Sequence, residues 1–210
     1  MIFRQLTDKP WETVPGGIDD RNNGGASQLP AATIGLRVFL AVVTVLFMLL
    51  IIAYGGRMAV EDLRPGPEPR LLWLNTALLI LSSAAMQWAW AGARRGRIGD
   101  VKSGLLGGGV FAFAFLAGQV LAWRQLATMA GYDVTNPAIA FFYLITALHA
   151  LHLAGGIVAW GRTTLKTWGD FEVAQIRQSV ELCTIYWHFL LLIWLVLFSL
   201  LFSGSDNLGI

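Results

Sequence analysis

Five stretches of nearly continuous apolar sequence dominate the chain: Ile34–Tyr54, Leu71–Ala91, Gly104–Trp123, Ala138–Trp160 and Val180–Phe202. About 20 apolar residues wound into a helix cross the hydrocarbon core of a bilayer. The pattern predicts an all-α polytopic membrane protein, a bundle of five transmembrane helices over residues 34–203. Residues 1–33 form a tail ahead of it and residues 204–210 a short tail behind. Within the five stretches the only full charges are Arg37 and Glu181. The leading tail holds Pro10, Pro15, Gly16, Gly17, Asn22, Asn23, Gly24 and Gly25, and reads as loosely ordered or partner-bound. It contains no apolar run, so no cleavable signal peptide is expected.

Composition strengthens this picture. Of the 210 residues 56% are hydrophobic and 13% charged, and mean hydropathy is +0.60; a soluble domain carries about 25% charged residues. The positive charges are unevenly shared. The tail (Arg4, Lys9, Arg21), the second loop (Arg94, Arg95, Arg97, Lys102) and the fourth loop (Arg162, Lys166, Arg177) hold most of them, with Arg37 beside the tail. Arg57, Arg64, Arg70 and Arg124 fall on the other side. The excess of basic residues predicts a cytoplasmic N-terminus and an external C-terminus. A net charge of +2 gives no reason to expect a nucleic-acid partner. The single cysteine, Cys183, excludes a disulfide within the chain and is expected to pack as a small apolar residue.

Polar residues inside the spans are expected to join helices. The second span carries Asn75, Thr76, Ser82, Ser83 and Gln87; the third carries Gly104 and Gly108 at the spacing that lets two helices approach closely. Trp88, Trp90, Trp123, Trp160 and Trp168 lie near span ends, where indoles favour the headgroup layer. The first loop has Pro65, Pro67 and Pro69 and reads as an extended hop; its Glu61, Asp62 and Glu68 make it partly acidic.

Candidate chemistry gathers in the last two spans. His149 and His152 are three residues apart on the fourth; Glu181 and His188 are seven apart, two helical turns, on the fifth. An ionisable side chain at membrane depth costs about 2.5–3.5 kcal/mol, so both faces are expected to turn inward. All three histidines fall at one depth on adjacent antiparallel helices, and Glu181 about two turns towards the cytoplasm. Several chemistries suit these residues. Histidines on facing helices hold a haem iron. Imidazoles with a carboxylate suit Zn, Cu or Fe, although the Glu-x-x-His pairs of di-iron bundles are absent. Glutamate and histidine on one face are the materials of a proton relay. A hydrogen-bonded cluster tying the two helices together, with room for a lipid headgroup, is the purely structural reading.

The run Phe141-Phe142-Tyr143-Leu144-Ile145-Thr146-Ala147-Leu148-His149-Ala150-Leu151-His152, closing on Gly155-Gly156, resembles a helix of subunit III of the haem–copper oxidases. Glu181 followed by Tyr186-Trp187-His188-Phe189 and Trp194 is similar to the last helix of that family, and Leu74-Asn75-Thr76 through Ser82-Ser83 to Gln87-Trp88 to another. The likeness covers residues 34 to 203, and the family has a five-helix form of this length.

The resemblance implies a non-catalytic subunit of a bacterial terminal oxidase that reduces oxygen and translocates protons across the inner membrane. It implies no haem, copper or other cofactor in this chain, the metals lying in partner subunits. It further implies direct contact with subunit I, other oxidase subunits and structural phospholipids, and a part in assembly, lipid retention and sustained proton uptake. His149, His152, Glu181 and His188 would then form a lipid-binding or structural cluster, with no catalytic and no metal-binding residue. Two positions depart from the family pattern: Val43 stands where the first helix usually has an acid, and Leu191 where an aspartate follows the last-helix histidine. A subunit-III-like protein beside a nitric oxide reductase, and a bis-histidine haem cytochrome, are the alternatives.

Overall fold

The computed structural model describes residues 31–58, 71–129, 137–169 and 173–206. The leading tail, the proline-bearing first loop and the last four residues, on which several expectations above fall, lie outside them. The described residues form five α-helices: α1 (Ala31–Met58), α2 (Leu71–Arg94), α3 (Ile98–Met129), α4 (Pro137–Trp168) and α5 (Val173–Asp206). Each contains a stretch long and apolar enough to cross a membrane. The helices outrun the apolar stretches because their polar ends continue in helix; α4 runs on through Arg162 and Lys166 to Trp168.

Only three residues, Arg95, Gly96 and Arg97, separate α2 from α3. Gly96 sits at φ +70, the left-handed region open to glycine. Its N–H bonds the Ala93 carbonyl (3.3 Å) and the Arg97 N–H bonds the Gly92 carbonyl (3.0 Å), the pair of bonds that closes a Schellman helix end. Asp100 lies in the first turn of α3, where the helix dipole favours an anion, and its carboxylate meets Arg97 at 2.9 Å. The tight turn forces α2 and α3 into an antiparallel pair.

Glycines set how closely that pair packs. A Cβ on Gly104 would stand 2.6 Å from the backbone nitrogen of Ala89, and one on Gly108 2.8 Å from the Met86 sulfur. The Gly104/Gly108 spacing thus faces α2, where the backbones nearly touch. α5 lies on α2, and α4 bridges α3 and α5. The main core contains Leu79, Met86, Leu105, Phe115, Leu153, Trp187 and Trp194.

α1 is held differently. None of its Cα atoms comes within 8 Å of another helix among the described residues. Its inward seam is Leu36, Leu40, Val43, Phe47, Leu50 and Tyr54, a four-three repeat that lines one face of a helix. Val43, Phe47 and Tyr54 reach across to Ile145, Ile193 and Leu197 and form a second, smaller core.

Candidate functional site

Six aromatic side chains lace the four-helix core. Trp187 donates its indole N–H to Ser82 Oγ (2.7 Å), and that hydroxyl donates in turn to the Gly108 carbonyl (2.7 Å), so α5, α2 and α3 share one chain of bonds. Trp194 donates to Thr76 Oγ1 (3.0 Å). Between α3 and α4, Trp160 donates to the Leu105 carbonyl (2.8 Å), Trp123 to Thr146 Oγ1 (3.0 Å) and Tyr143 to the Trp123 carbonyl (3.0 Å). Between α4 and α5, the Tyr186 hydroxyl donates to the His152 carbonyl (2.8 Å). A buried N–H or O–H must find an acceptor, and a helix carbonyl keeps a second lone pair free for one. Trp123 and Trp160, near span ends, are thus helix-to-helix donors as well. Trp88 and Trp168 are the exposed indoles of the set, at 64% and 50%.

The structure does not gather the four candidate residues into one cluster. His149 is fully buried in α4, with ring centroids of Trp194 at 5.1 Å, Phe115 at 6.0 Å and Phe47 at 6.4 Å. Neither of its ring nitrogens has a hydrogen-bond partner. Asn75 and Gln119 bond each other at 3.3 Å, yet Asn75 Oδ1 and Gln119 Nε2 are likewise buried without partners. Each orphaned group of this kind costs about 1–3 kcal/mol. His152 is half-buried, its Nδ1–H donating to the Leu148 carbonyl (2.8 Å) and its ring lying between Phe39 and Phe47 of α1.

Glu181 and His188 share a face of α5, but that face looks outward. Both side chains are exposed, which corrects the expectation that they turn inward against α4. The inward side of α5 is taken by Val180, Cys183, Thr184, Trp187, Leu190, Trp194 and Leu197. His188 binds α2 instead: Ser83 Oγ bonds Nδ1, and Nε2 lies 2.8 Å from Gln87 Oε1. A neutral imidazole with its proton on Nε2 satisfies both contacts. His188 and the α4 histidines therefore do not face one another as axial ligands of a haem would. Among the described residues no group of three or more His, Cys, Asp or Glu side chains could hold a metal ion.

A groove whose place the sequence does not give lies between α1, α4 and α5. Because α1 stands off, it leaves a groove of about 520 Å³ lined by Leu36, Phe39, Gly155, Arg162, Cys183 and Tyr186, among others. Gly155 faces open space, whereas Gly156 lies against Tyr186 and Leu190. Lys166 reaches Ser179 Oγ at 3.4 Å near the same end. None of His149, His152, Glu181 or His188 lines the groove. The available signal was the Gly155–Gly156 pair one turn after His152, with Arg162 two turns further on.

The class these features define is a multi-pass helical membrane protein whose interior is a packing lattice. The chain belongs to the cytochrome c oxidase subunit III family, whose sequence pattern it matches over residues 56–205. The cytochrome c oxidase subunit 3 of Thermostichus vulcanus is 30% identical over 179 residues, covering 80% of this chain and 85% of that protein. The probable cytochrome c oxidase subunit 3 of Mycobacterium tuberculosis is 30% identical over 131 residues, 60% of this chain and 63% of the relative. The match thus spans less than two thirds of the mycobacterial protein. A heme-copper oxidase subunit I+III of Aeropyrum pernix is 28% identical over 129 residues, which cover 60% of this chain and 16% of that longer protein.

Proposed function

We propose that this chain is the non-catalytic subunit III of a bacterial haem–copper terminal oxidase in the inner membrane, with its N-terminus cytoplasmic and C-terminus external. It contacts subunit I directly, alongside other subunits, while haems and copper reside in those partners. The single observation that carries this reading is the family match over residues 56–205; the name of the Aeropyrum relative, which joins I and III, supports their adjacency. The role is to support assembly, retain lipid and sustain proton uptake by subunit I. Val43 is buried in the smaller core and Leu191, partly buried, packs against the main one, so that support works through packing and lipid rather than through carboxylates at those positions.

The groove beside α1 suits a phospholipid: apolar walls for an acyl chain, with Arg162 at the end for a phosphate. His149 and His152 serve the packing of α4 against α1 and α5. Affinity purification of the tagged chain from mild detergent, followed by mass spectrometry of proteins and lipids and an optical spectrum, tests the proposal. Co-purification of a haem–copper subunit I, with phospholipid lost on Arg162→Leu, is the expected result. A haem band in the chain freed from its partners would overturn it.

A further inference from the structure

We infer that the outward strip of Ala84 and Gln87 on α2 and Glu181, Ile185 and His188 on α5 is the seat of a transmembrane helix from another oxidase subunit, one that brings hydrogen-bond donors to the depth of Glu181. The inference rests on the reading of the chain as an oxidase subunit and adds to it the face through which the complex is joined.

The helices differ in what they expose. α1 exposes Val38, Val42, Val45, Met48, Leu49 and Ile52; α3 exposes Leu106, Val110, Phe113 and Leu121; α4 exposes Leu144, Leu151 and Val158. Lipid tails solvate such faces without cost. The α2/α5 strip is unlike them. The α5 span runs Ile176–Leu201, so His188 stands at its centre, the bilayer midplane, and it is exposed there. Gln87, its partner, is exposed beside it, and Glu181 lies about 10 Å along the axis at 1.5 Å per residue, also exposed. The described residues offer Glu181 no ion pair and no hydrogen bond.

Polar and ionisable groups at this depth face protein or water, not hydrocarbon. The chemistry of the covering partner follows from what is unmet. Glu181, when ionised, only accepts, so the facing helix must donate there through a hydroxyl, amide or basic side chain. Gln87 has spent its oxygen on His188, which leaves its NH2 group for an acceptor on the same partner. Ala84, small and exposed one turn from Gln87, lets a facing helix come close, as membrane helices favour, and the exposed Ile185 between Glu181 and His188 gives it an apolar contact.

The test replaces Ala84 and Ile185, one at a time, by a photo-crosslinking benzophenone residue in the tagged full-length chain, with Val42, Leu121 and Leu151 as controls. Illumination of native membranes and mass spectrometry of the purified complex read the adducts. Positions 84 and 185 are expected to join another oxidase subunit, and the controls lipid. Ala84→Trp, which blocks the seat without entering the core, should lower the co-purified partner about tenfold, the loss that about 1.4 kcal/mol of association energy gives; Val42→Trp should not. Adducts at 84 and 185 only with lipid, or with a second copy of this chain, would overturn the inference while co-purified oxidase subunits leave the proposed function standing. If no oxidase subunit co-purifies at all, the proposed function fails and the inference with it.

Discussion

The α2/α3 pair and α1 are two solutions to holding a helix in a bilayer. Between α2 and α3 the backbones come so close that a single Cβ at Gly104 would strike Ala89, and a serine hydroxyl reaches a carbonyl of the opposite helix. α1 keeps its backbone away and touches its neighbours with the ends of large side chains: Phe39 on His152 and Tyr186, Phe47 on His149 and His152, Tyr54 on Phe141. Lipid tails are as apolar as leucine, so burial alone does not bind membrane helices; close packing and hydrogen bonds do. α2 and α3 use both devices, while α1 uses neither and leaves a groove. α2–α5 thus form a closely packed four-helix unit, and the expectation to test is that α1 behaves as an adjustable wall beside it.

Gly104→Leu should have the largest effect on the α2/α3 pair. Overpacking a core with extra methylenes costs about 1–3 kcal/mol where side chains can give way. Here the obstacles are the nitrogen and Cα of Ala89 and the carbonyl of Ala85, which cannot rotate aside. The loss should exceed that range, and the chain should fail to accumulate in membranes, as immunoblotting would show. Normal accumulation would mean that the seam is not the organising contact.

Ser82→Ala is the next step down. It leaves the Trp187 N–H buried without its acceptor and removes the bond to the Gly108 carbonyl, a loss of about 1–3 kcal/mol. Tryptophan emission during thermal unfolding in detergent should report a lower midpoint. An unchanged midpoint would show that water or another acceptor replaces the hydroxyl.

How much of this was legible depended on the kind of information each residue carries. The five helices follow from apolar length, because a bilayer demands about 20 residues whatever their order. The α2/α3 seam follows from Gly104 and Gly108, whose spacing admits a backbone. What spacing cannot give is the direction a helix face points. Glu181 and His188 share a face, as seven residues require, but whether it looks inward was settled by larger rivals, Trp187 and Trp194, which fill the inside of α5. The rule that costly groups turn inward therefore fails for Glu181 and His188 within this chain, where the inside of α5 is already filled. The tryptophans carry a second role that position alone does not give: proximity to a span end places an indole near the headgroups, and Trp123 and Trp160 also find acceptors across a helix gap that sequence does not reveal. The groove was hidden because it is made by the distance of α1, which no residue encodes singly.

Phe47→Ala sharpens the contrast from the other side. Phe47 is almost fully buried, and such a truncation in a soluble core costs about 3–5 kcal/mol. If α1 is an adjustable wall, it can close on the vacated space or admit lipid, and the cost should fall below about 1 kcal/mol, less than that of the smaller change Ser82→Ala. The same thermal unfolding experiment ranks the two. A larger loss for Phe47→Ala would place α1 within the closely packed unit.

The smallest effect is expected from Gly155→Ala. A Cβ at Gly155 meets no protein atom within 4 Å, in contrast to Gly156 on the next residue, where it would come within 2.7 Å of the Tyr186 ring. Protein contacts alone therefore predict a change of no more than about 0.5 kcal/mol for Gly155→Ala, as for a surface substitution, and a clear loss for Gly156→Ala. Delipidated protein should show this ranking in its unfolding midpoints. With lipid retained, the two outcomes separate: an occupant lying against the bare glycine backbone would make Gly155→Ala costly only in the lipid-bearing sample, and that difference would locate the acyl chain on α4. Equal and negligible effects in both samples would leave the groove's occupant standing clear of Gly155, on the α1 side.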